Sequence, residues 1–333
     1  MNLDMKRKQQ AKILSAADHK TKGLPQLNTE KLLAKGPELI DCLTRKWHRT
    51  DLITVMGASG SGKTSFNLYC FKSILENNPE GICIFIATEM TIAQIITKWD
   101  KLTGHNPELS QRLYIVASFD DEGNGIDLSI EGIRNILKRY QIVLNKPILS
   151  VVLDHLNNVP LNGNTLDHVT TGFGRLAKEH NFLAFLNAQT SKERGGQGDI
   201  PLDKNAPYMT SKPTQDSVYM ISISQPLKRI QDQVDFPVTA WSYAKIRFKE
   251  RTDTVKETIN YLLMFEYETE GYRELSVEEK YQFREYYQQV VEMRKEEDKN
   301  KTHLYDTSFK IKGKNGKEVK VQNVSHHIPS EWD

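Results

Sequence analysis

The sequence predicts an α/β fold with a mostly parallel central sheet, helices on both faces, and antiparallel strands added at one edge. Three observations carry this. Short, nearly continuous apolar runs rich in β-branched residues recur at 51–57 (DLITVMG), 81–88 (GICIFIAT), 112–118 (RLYIVAS), 148–154 (ILSVVLD) and 182–188 (FLAFLNA). Such runs mark strands buried on both faces, which is how parallel sheets read. Segments at 64–77, 91–103, 129–144 and 165–180 are long enough for intervening helices. After residue 216 the runs SVYMISIS, VTAWSYAKIR and TINYLLMFEYE follow one another without helices, which suggests strands extending the same sheet antiparallel at its edge.

The flanks differ in character. Residues 1–36 form a basic N-terminal arm or linker, and the regular pattern belongs to a domain spanning 37–275. The extension 276–333 opens on Ser276-Val-Glu-Glu279, a capping box for a helix to about residue 298. It closes on alternating residues around Asn315-Gly316, the signature of a hairpin with a type I′ turn.

Bulk properties exclude several classes. No apolar run approaches the roughly 18 residues a membrane span needs, so no membrane association is expected. The first residues carry charges but no apolar core, so no secretory leader is expected and the expected compartment is the cytoplasm. Cys42, Cys70 and Cys83 are scattered and odd in number, which suits reduced thiols. A net charge of +2 forces no nucleic-acid partner, so any such contact has to come from a local patch.

The chemistry begins at Gly57-Ala58-Ser59-Gly60-Ser61-Gly62-Lys63-Thr64, followed by Ser65. This is a full G-x-x-x-x-G-K-[ST] placed after a strand and before a helix, the context that motif requires. Its glycines let backbone N–H groups wrap a phosphate, and the helix N-terminus adds partial positive charge. Lys63 is expected to reach the β- and γ-phosphates of a nucleoside triphosphate, and Thr64 to coordinate Mg²⁺.

Asp154 ends the run ILSVVLD and is the expected second holder of Mg²⁺. Glu89 ends ICIFIATE. If that strand lies beside the phosphate-loop strand, Glu89 faces the γ-phosphate and can activate a water; the bland alternative is that it caps the helix starting near Thr91. Gln189 ends another buried strand, where its amide can sense the γ-phosphate. The long Gly/Pro-rich segment that follows, 190–215, is of a kind that is usually functional or disordered.

Together these residues resemble the ATPase domain of DnaB-like replicative helicases, a hexameric RecA-like P-loop family. DLITVMGASGSGKTSFNLYC looks like the family's first motif. Ala87-Thr88-Glu89-Met90 is similar to its Ser-Leu-Glu-Met, and SVVLDHLNNV to its Asp-Tyr-Leu segment with His155 in place of Tyr. FGRLAKEHNFLAFLNAQTSKER and TQDSVYMIS occupy later motif positions, and the order holds from about residue 37 to 270.

The resemblance implies a ring-forming ATP hydrolase that couples hydrolysis to movement on single-stranded DNA in replication. It implies ATP and Mg²⁺ as ligands, a homo-oligomer of hexameric size, and other replication proteins as partners. Lys245-x-Arg247 looks like the family's pair that reaches a neighbour's γ-phosphate; Phe248 and Lys249 follow where the family has Gly, and Arg251 is a possible substitute. DNA contacts are expected from the loop after Asp154, NNVPLNGNT, and from Lys192, Arg194, Lys204 and Lys212. The family's N-terminal helical domain finds no counterpart before residue 37, and the extension from 276 lies outside the pattern. Two other readings stay open: a RecA- or RadA-like recombination ATPase, and an ATP-switched assembly platform that unwinds nothing.

Overall fold

The computed structural model describes residues 47–118, 125–189, 212–247, 260–305, 311–312 and 318–319. The N-terminal arm, Cys42, Lys192, Arg194, Lys204 and Arg251 lie outside the described residues.

In chain order the elements are β1 (Leu52–Gly57), α1 (Lys63–Asn77), β2 (Ile82–Ala87), α2 (Ile92–Thr103), the single turn α3 (Pro107–Ser110) and β3 (Leu113–Ala117). They continue with α4 (Ile130–Leu144), β4 (Ile148–Asp154), α5 (Leu166–His180), β5 (Leu183–Gln189), the short α6 (Lys212–Asp216) and β6 (Tyr219–Ser224). The chain then forms β7 (Val238–Ile246), β8 (Asn260–Glu266), β9 (Gly271–Glu274) and α7 (Val277–Tyr305). The nine strands make one sheet in the order β3-β2-β4-β5-β1-β6-β7-β8-β9. A small hairpin of β10 (Ile311–Lys312) and β11 (Glu318–Val319) forms a separate sheet.

The near-continuous apolar strands have the expected cause. On β2, Cys83, Phe85 and Ala87 enter a core with Phe66, Phe71 and Ile74 of α1. The alternate residues Ile82, Ile84 and Ile86 enter a second core with Ile133 and Leu137 of α4 and Phe173 and Leu176 of α5. A strand with period 2 and helices on both sides has no solvent face to make polar.

Three expectations are corrected. β6 pairs parallel with β1, so the antiparallel edge begins at β7. The reason is its connection: the chain enters β6 through α6, a crossover that returns it to the end of the sheet where β1 starts. β2 does not adjoin β1; it lies between β3 and β4, with β4 and β5 separating it from β1. The C-terminal hairpin pairs Ile311 with Val319 and Lys312 with Glu318, whereas a two-residue turn at Asn315-Gly316 would place Ile311 opposite Lys320. The turn itself lies outside the described residues.

A third cluster joins α7 to the sheet edge. Phe283 and Val290 pack with Leu227, Ile230, Phe236, Val238, Met264 and Leu275. The helix runs to Tyr305, beyond the expected end near 298. Its start is the predicted capping box: Ser276 Oγ accepts from the Glu279 N–H at 3.2 Å, and the Glu279 carboxylate accepts from the Ser276 N–H at 2.8 Å. Arg273 of β9 donates to both Glu279 oxygens at 2.7 Å.

Hydrogen bonding from Arg273 holds the Glu279 carboxyl down to about 2, so the folded pKa lies below the unfolded one. The pair's stabilisation is therefore present above the ordinary glutamate range and is lost as pH falls toward 2. Arg273 is well exposed, so solvent screening limits the contribution to no more than about 1 kcal/mol. Chemical denaturation at neutral pH is expected to show Glu279→Gln less stable by about that amount, and the difference is expected to vanish near pH 2.

Candidate active site

Parallel strands β1, β4 and β2 all end at one edge of the sheet, and the chain leaves β1 and β4 over opposite faces, α1 packing in one core and α5 in the other. The crevice at such a reversal is where open α/β sheets bind ligands. A cleft of about 680 Å³ opens there, lined by Ser59 to Ser65, Glu89, Asp154, His155 and Gln189.

The loop after β1 is shaped by two glycines. A Cβ on Gly57 would lie 2.2 Å from Ser61 Oγ and 2.8 Å from the Ile223 carbonyl, so only glycine lets the loop fold back on itself. Gly62 caps α1 with φ 97°, a left-handed conformation that other residues resist. Gly62 also leaves α1 without a side-chain cap. By contrast α2, α4 and α5 are capped by Thr91, Ser129 and Thr165. An uncapped N-terminus leaves backbone N–H groups and partial positive charge facing the cleft, an arrangement made for an anion. Ser61 Oγ is buried there without a hydrogen-bond partner among the described residues.

Lys63 is buried and its ammonium donates to the Gly57 and Ala58 carbonyls, both at 2.9 Å. Burial pulls its pKa below the ordinary lysine value, opposed by the nearby Asp154 and Glu89 carboxylates. Thr64 Oγ1 donates to Asp154 Oδ2 at 2.7 Å. A hydroxyl and a carboxylate side by side give hard oxygen donors, and Mg²⁺ commonly takes few protein oxygens and keeps waters and phosphate oxygens for the rest. The site therefore fits Mg²⁺ on its donor chemistry.

Glu89 reaches this cleft by a route the sequence did not indicate. Because β2 pairs with β4, Ala87 sits opposite Asp154 and the chain beyond it arrives beside the Asp154 carboxylate. Glu89 does not cap α2; Thr91 and Gln94 form that capping box themselves. Glu89 is half exposed on the rim, with Oε2 3.1 Å from Nε2 of the buried His155. Burial lowers the His155 pKa, while the Glu89 and Asp154 carboxylates raise it. Gln189, opposite Gly57 at the end of β5, completes this wall.

Several residues that sequence reasoning missed hold the parts in place. Thr88 Oγ1 donates toward the Asp154 and His155 carbonyls at 3.0 and 3.2 Å and accepts from the His155 N–H at 2.8 Å. It locks the ends of β2 and β4 together. Glu270, at the β8–β9 turn, accepts from Ser65 Oγ at 3.1 Å and from Lys98 Nζ at 2.7 Å. Tyr272 donates to the Gly62 carbonyl at 3.4 Å. Gln225 donates to the Gly60 carbonyl at 3.3 Å. Thr88 lies inside the Ala87–Met90 stretch but drew no role there, and Glu270, Tyr272 and Gln225 stand in no recognisable motif, so only chain geometry could reveal these contacts.

Lys245 and Arg247 are not brought to the cleft. β7 runs antiparallel from Val238, on the cleft wall, so Lys245 lies about 23 Å further along at ~3.3 Å per residue. There Lys245 donates to the Thr214 carbonyl and to the Ser217 carbonyl, the latter at 2.9 Å, and Arg247 to the Gln215 carbonyl. Of the expected DNA-contacting residues, Lys212 pairs with Asp216 at 3.2 Å. The loop after Asp154 forms a short 3₁₀ turn at Leu156–Asn158 and borders a hollow of about 450 Å³ with Arg134, His168 and Arg175. Among the described residues no helix is long and apolar enough to cross a membrane.

No family model matches the sequence and no curated protein matches it. Solved structures do match. One, described as an ATPase domain, aligns with a TM-score of 0.55 at 14% identity, covering 69% of this chain and 86% of that one. A DnaB-like replicative helicase, described with its interactions with primase, aligns with a TM-score of 0.53 at 15% identity over 69% of this chain. The match takes in 60% of that helicase's chain. The fold is RecA-like. It is the α/β architecture of these two structures, with a mostly parallel sheet and an antiparallel edge.

Replacing Thr88 with Val keeps the shape but leaves the His155 N–H without its acceptor. Losing a buried hydrogen-bond partner costs about 1–3 kcal/mol. Thr88→Val is expected to unfold at correspondingly lower denaturant concentration, with an unchanged denaturant slope.

Proposed function

We propose that this chain is an ATP hydrolase of the DnaB-like helicase kind, working as a homo-oligomeric ring, of hexameric size, that moves on single-stranded DNA. The observation that carries this reading is one convergence: an uncapped helix N-terminus, Lys63, the Thr64–Asp154 pair and Glu89 share a single cleft at the sheet's C-terminal edge. ATP places its phosphates on the loop Gly57 to Ser65. Mg²⁺, held through Thr64 and Asp154, supplies charge neutralisation on the phosphate oxygens when bound. Lys63 exchanges its two loop carbonyls for phosphate oxygens, and its burial strengthens that contact.

Glu89 orients the attacking water and takes its proton, a role worth roughly 10²–10⁴ in rate. Its neighbour His155 fixes the carboxylate's direction from the buried side. Gln189 contacts the terminal phosphate and passes its loss to the segment that follows β5. The apolar end of the cleft, with Phe265, Tyr267 and Val238, accepts the base.

Lys245 and Arg247 act on another copy's nucleotide. Their position at the opposite sheet edge makes reach within one chain impossible and suits a head-to-tail interface, in which one surface meets a different one and a ring can close. A charge supplied in trans is worth about 10³–10⁵ in turnover. The loop after Asp154 and the segment from 190 to 215 carry the DNA contacts, and replication proteins are the partners of the ring.

Glu89→Gln is expected to abolish ATP turnover and to leave ATP binding intact; retained turnover would sink the assignment of the base. ATPase activity of the wild-type protein is expected to rise with single-stranded DNA and to lose that response as salt increases. Activity indifferent to DNA, with no strand displacement on a forked substrate, would instead support the assembly switch. Open filaments in electron micrographs would support a recombinase. A mixing assay tests the trans contact. Glu89→Gln and Arg247→Ala are each expected to be inactive, and equal amounts mixed before assembly to regain activity at about one interface in four, since each interface pairs one copy's Glu89 with another's Arg247. No recovery would count against the shared site.

A further inference from the structure

The segment between β6 and β7 carries a lysine over the phosphate loop. Gln225 reaches back to the Gly60 carbonyl at 3.3 Å, pinning the start of the segment to the crown of the loop. The 3₁₀ turn Lys228–Ile230 follows at once, and Lys228 lines the same cleft as Ser59 to Ser65. The other two lysines of the cleft are occupied: Lys63 by two carbonyls, and Lys98 by Glu270. Lys228 is half-buried, and its ammonium has no hydrogen bond or ion pair among the described residues.

A cation left unpaired in a partly buried cleft costs solvation that something should return. No carboxylate pairs with it among the described residues, while the opposing wall is a backbone cradle for an anion. Two lysines lining one cleft beside such a cradle mark a place where negative charge is meant to arrive.

The turn is held there from behind. Leu227 and Ile230, on either side of Lys228 and Arg229, are buried against Phe283 and Val290 of α7. Arg229 donates to Glu297 Oε1 at 2.6 Å, tying the turn to the C-terminal half of α7. Glu297 is half exposed, and Arg229 is its ion-pair partner.

Resting on the proposed triphosphate site, we propose that Lys228 is a further phosphate-binding residue, supplied by the same chain, and that α7 positions it through the Arg229–Glu297 contact. Lys228 would donate to an oxygen of the terminal phosphates from the β6 side of the loop, across from Asp154 and Glu89. No covalent step is involved.

The test measures binding of ATP, ADP and AMP to the full chain by titration, with Lys63→Ala as the reference. A hydrogen bond from a charged donor predicts that Lys228→Gln weakens ATP binding about tenfold or more. AMP binding is expected to change little, and Lys228→Arg to restore most of the ATP affinity. Those two results separate phosphate contact from a structural effect. Glu297→Gln is expected to weaken ATP about threefold, and to add nothing when combined with Lys228→Gln, because a positioning residue acts only through the residue it positions. If Lys63→Ala loses ATP while Lys228→Gln binds it as wild type does, the inference fails and the triphosphate site stands. If the wild-type protein binds no ATP, both fail together.

Discussion

The contact on which the rest of this site depends is the 2.7 Å hydrogen bond from Thr64 Oγ1 to Asp154 Oδ2. Thr64 belongs to the first turn of α1, which follows β1, and Asp154 is the last residue of β4. The two strands are not neighbours, since β5 lies between them. Their side chains meet only if both registers, β1 on β5 and β5 on β4, bring all three strands to an end at one level. A slip of one residue in either pairing would turn the terminal side chains to the other face. The different side chains that β4 and β5 send into two separately packed cores resist that slip. Packing on both faces of the sheet thus sets the geometry of a polar pair at its edge.

The same logic extends outward from that pair. Thr88 fastens β2 to the carbonyl of Asp154, so Glu89 inherits its position from β4 and not from β1. On the other side, Glu270 and Tyr272 of the antiparallel edge hold the first turn of α1. These contacts matter because the turn itself is uncapped. A helix N-terminus that leaves its amides for a ligand gives up the stabilisation a side-chain cap supplies, typically about 1 kcal/mol. Contacts from β9 and the β8–β9 turn offset part of that loss without occupying the amides.

Much of this was legible in the sequence. The parallel sheet showed itself in unbroken apolar strands, and the tight loop after β1 in glycines whose spacing has a steric reason: Gly57 has no room for a Cβ, and Gly62 sits at φ 97°. Asp154 and Glu89 could be picked out because a charge at the end of a buried strand needs a purpose. What the sequence hid was adjacency. It held no order for β2 and β1, no parallel pairing for β6, and no hint that Glu270 reaches a residue more than 200 positions earlier. Periodicity reports which faces are buried; it does not report which strands are neighbours, because every central strand of a doubly covered sheet carries the same pattern.

The fold also divides the available positive charge into two classes. Lys63 and Lys228 stand at the C-terminal edge of the parallel strands, in the cleft by the loop after β1. Lys245 and Arg247 stand at the opposite edge, tied to carbonyls at the end of α6. No side chain spans the height of the sheet, so the second pair can serve a phosphate only at a surface where two copies meet edge to edge. The described end of the 190–215 segment is α6, and those two residues bind its Thr214 and Gln215 carbonyls. Any displacement of α6 would change what Lys245 and Arg247 hold. In the proposed function this gives DNA bound by one copy a mechanical path to the nucleotide of the next. It needs no contact between the DNA and the phosphate loop itself, and the coupling follows from the antiparallel direction of β7.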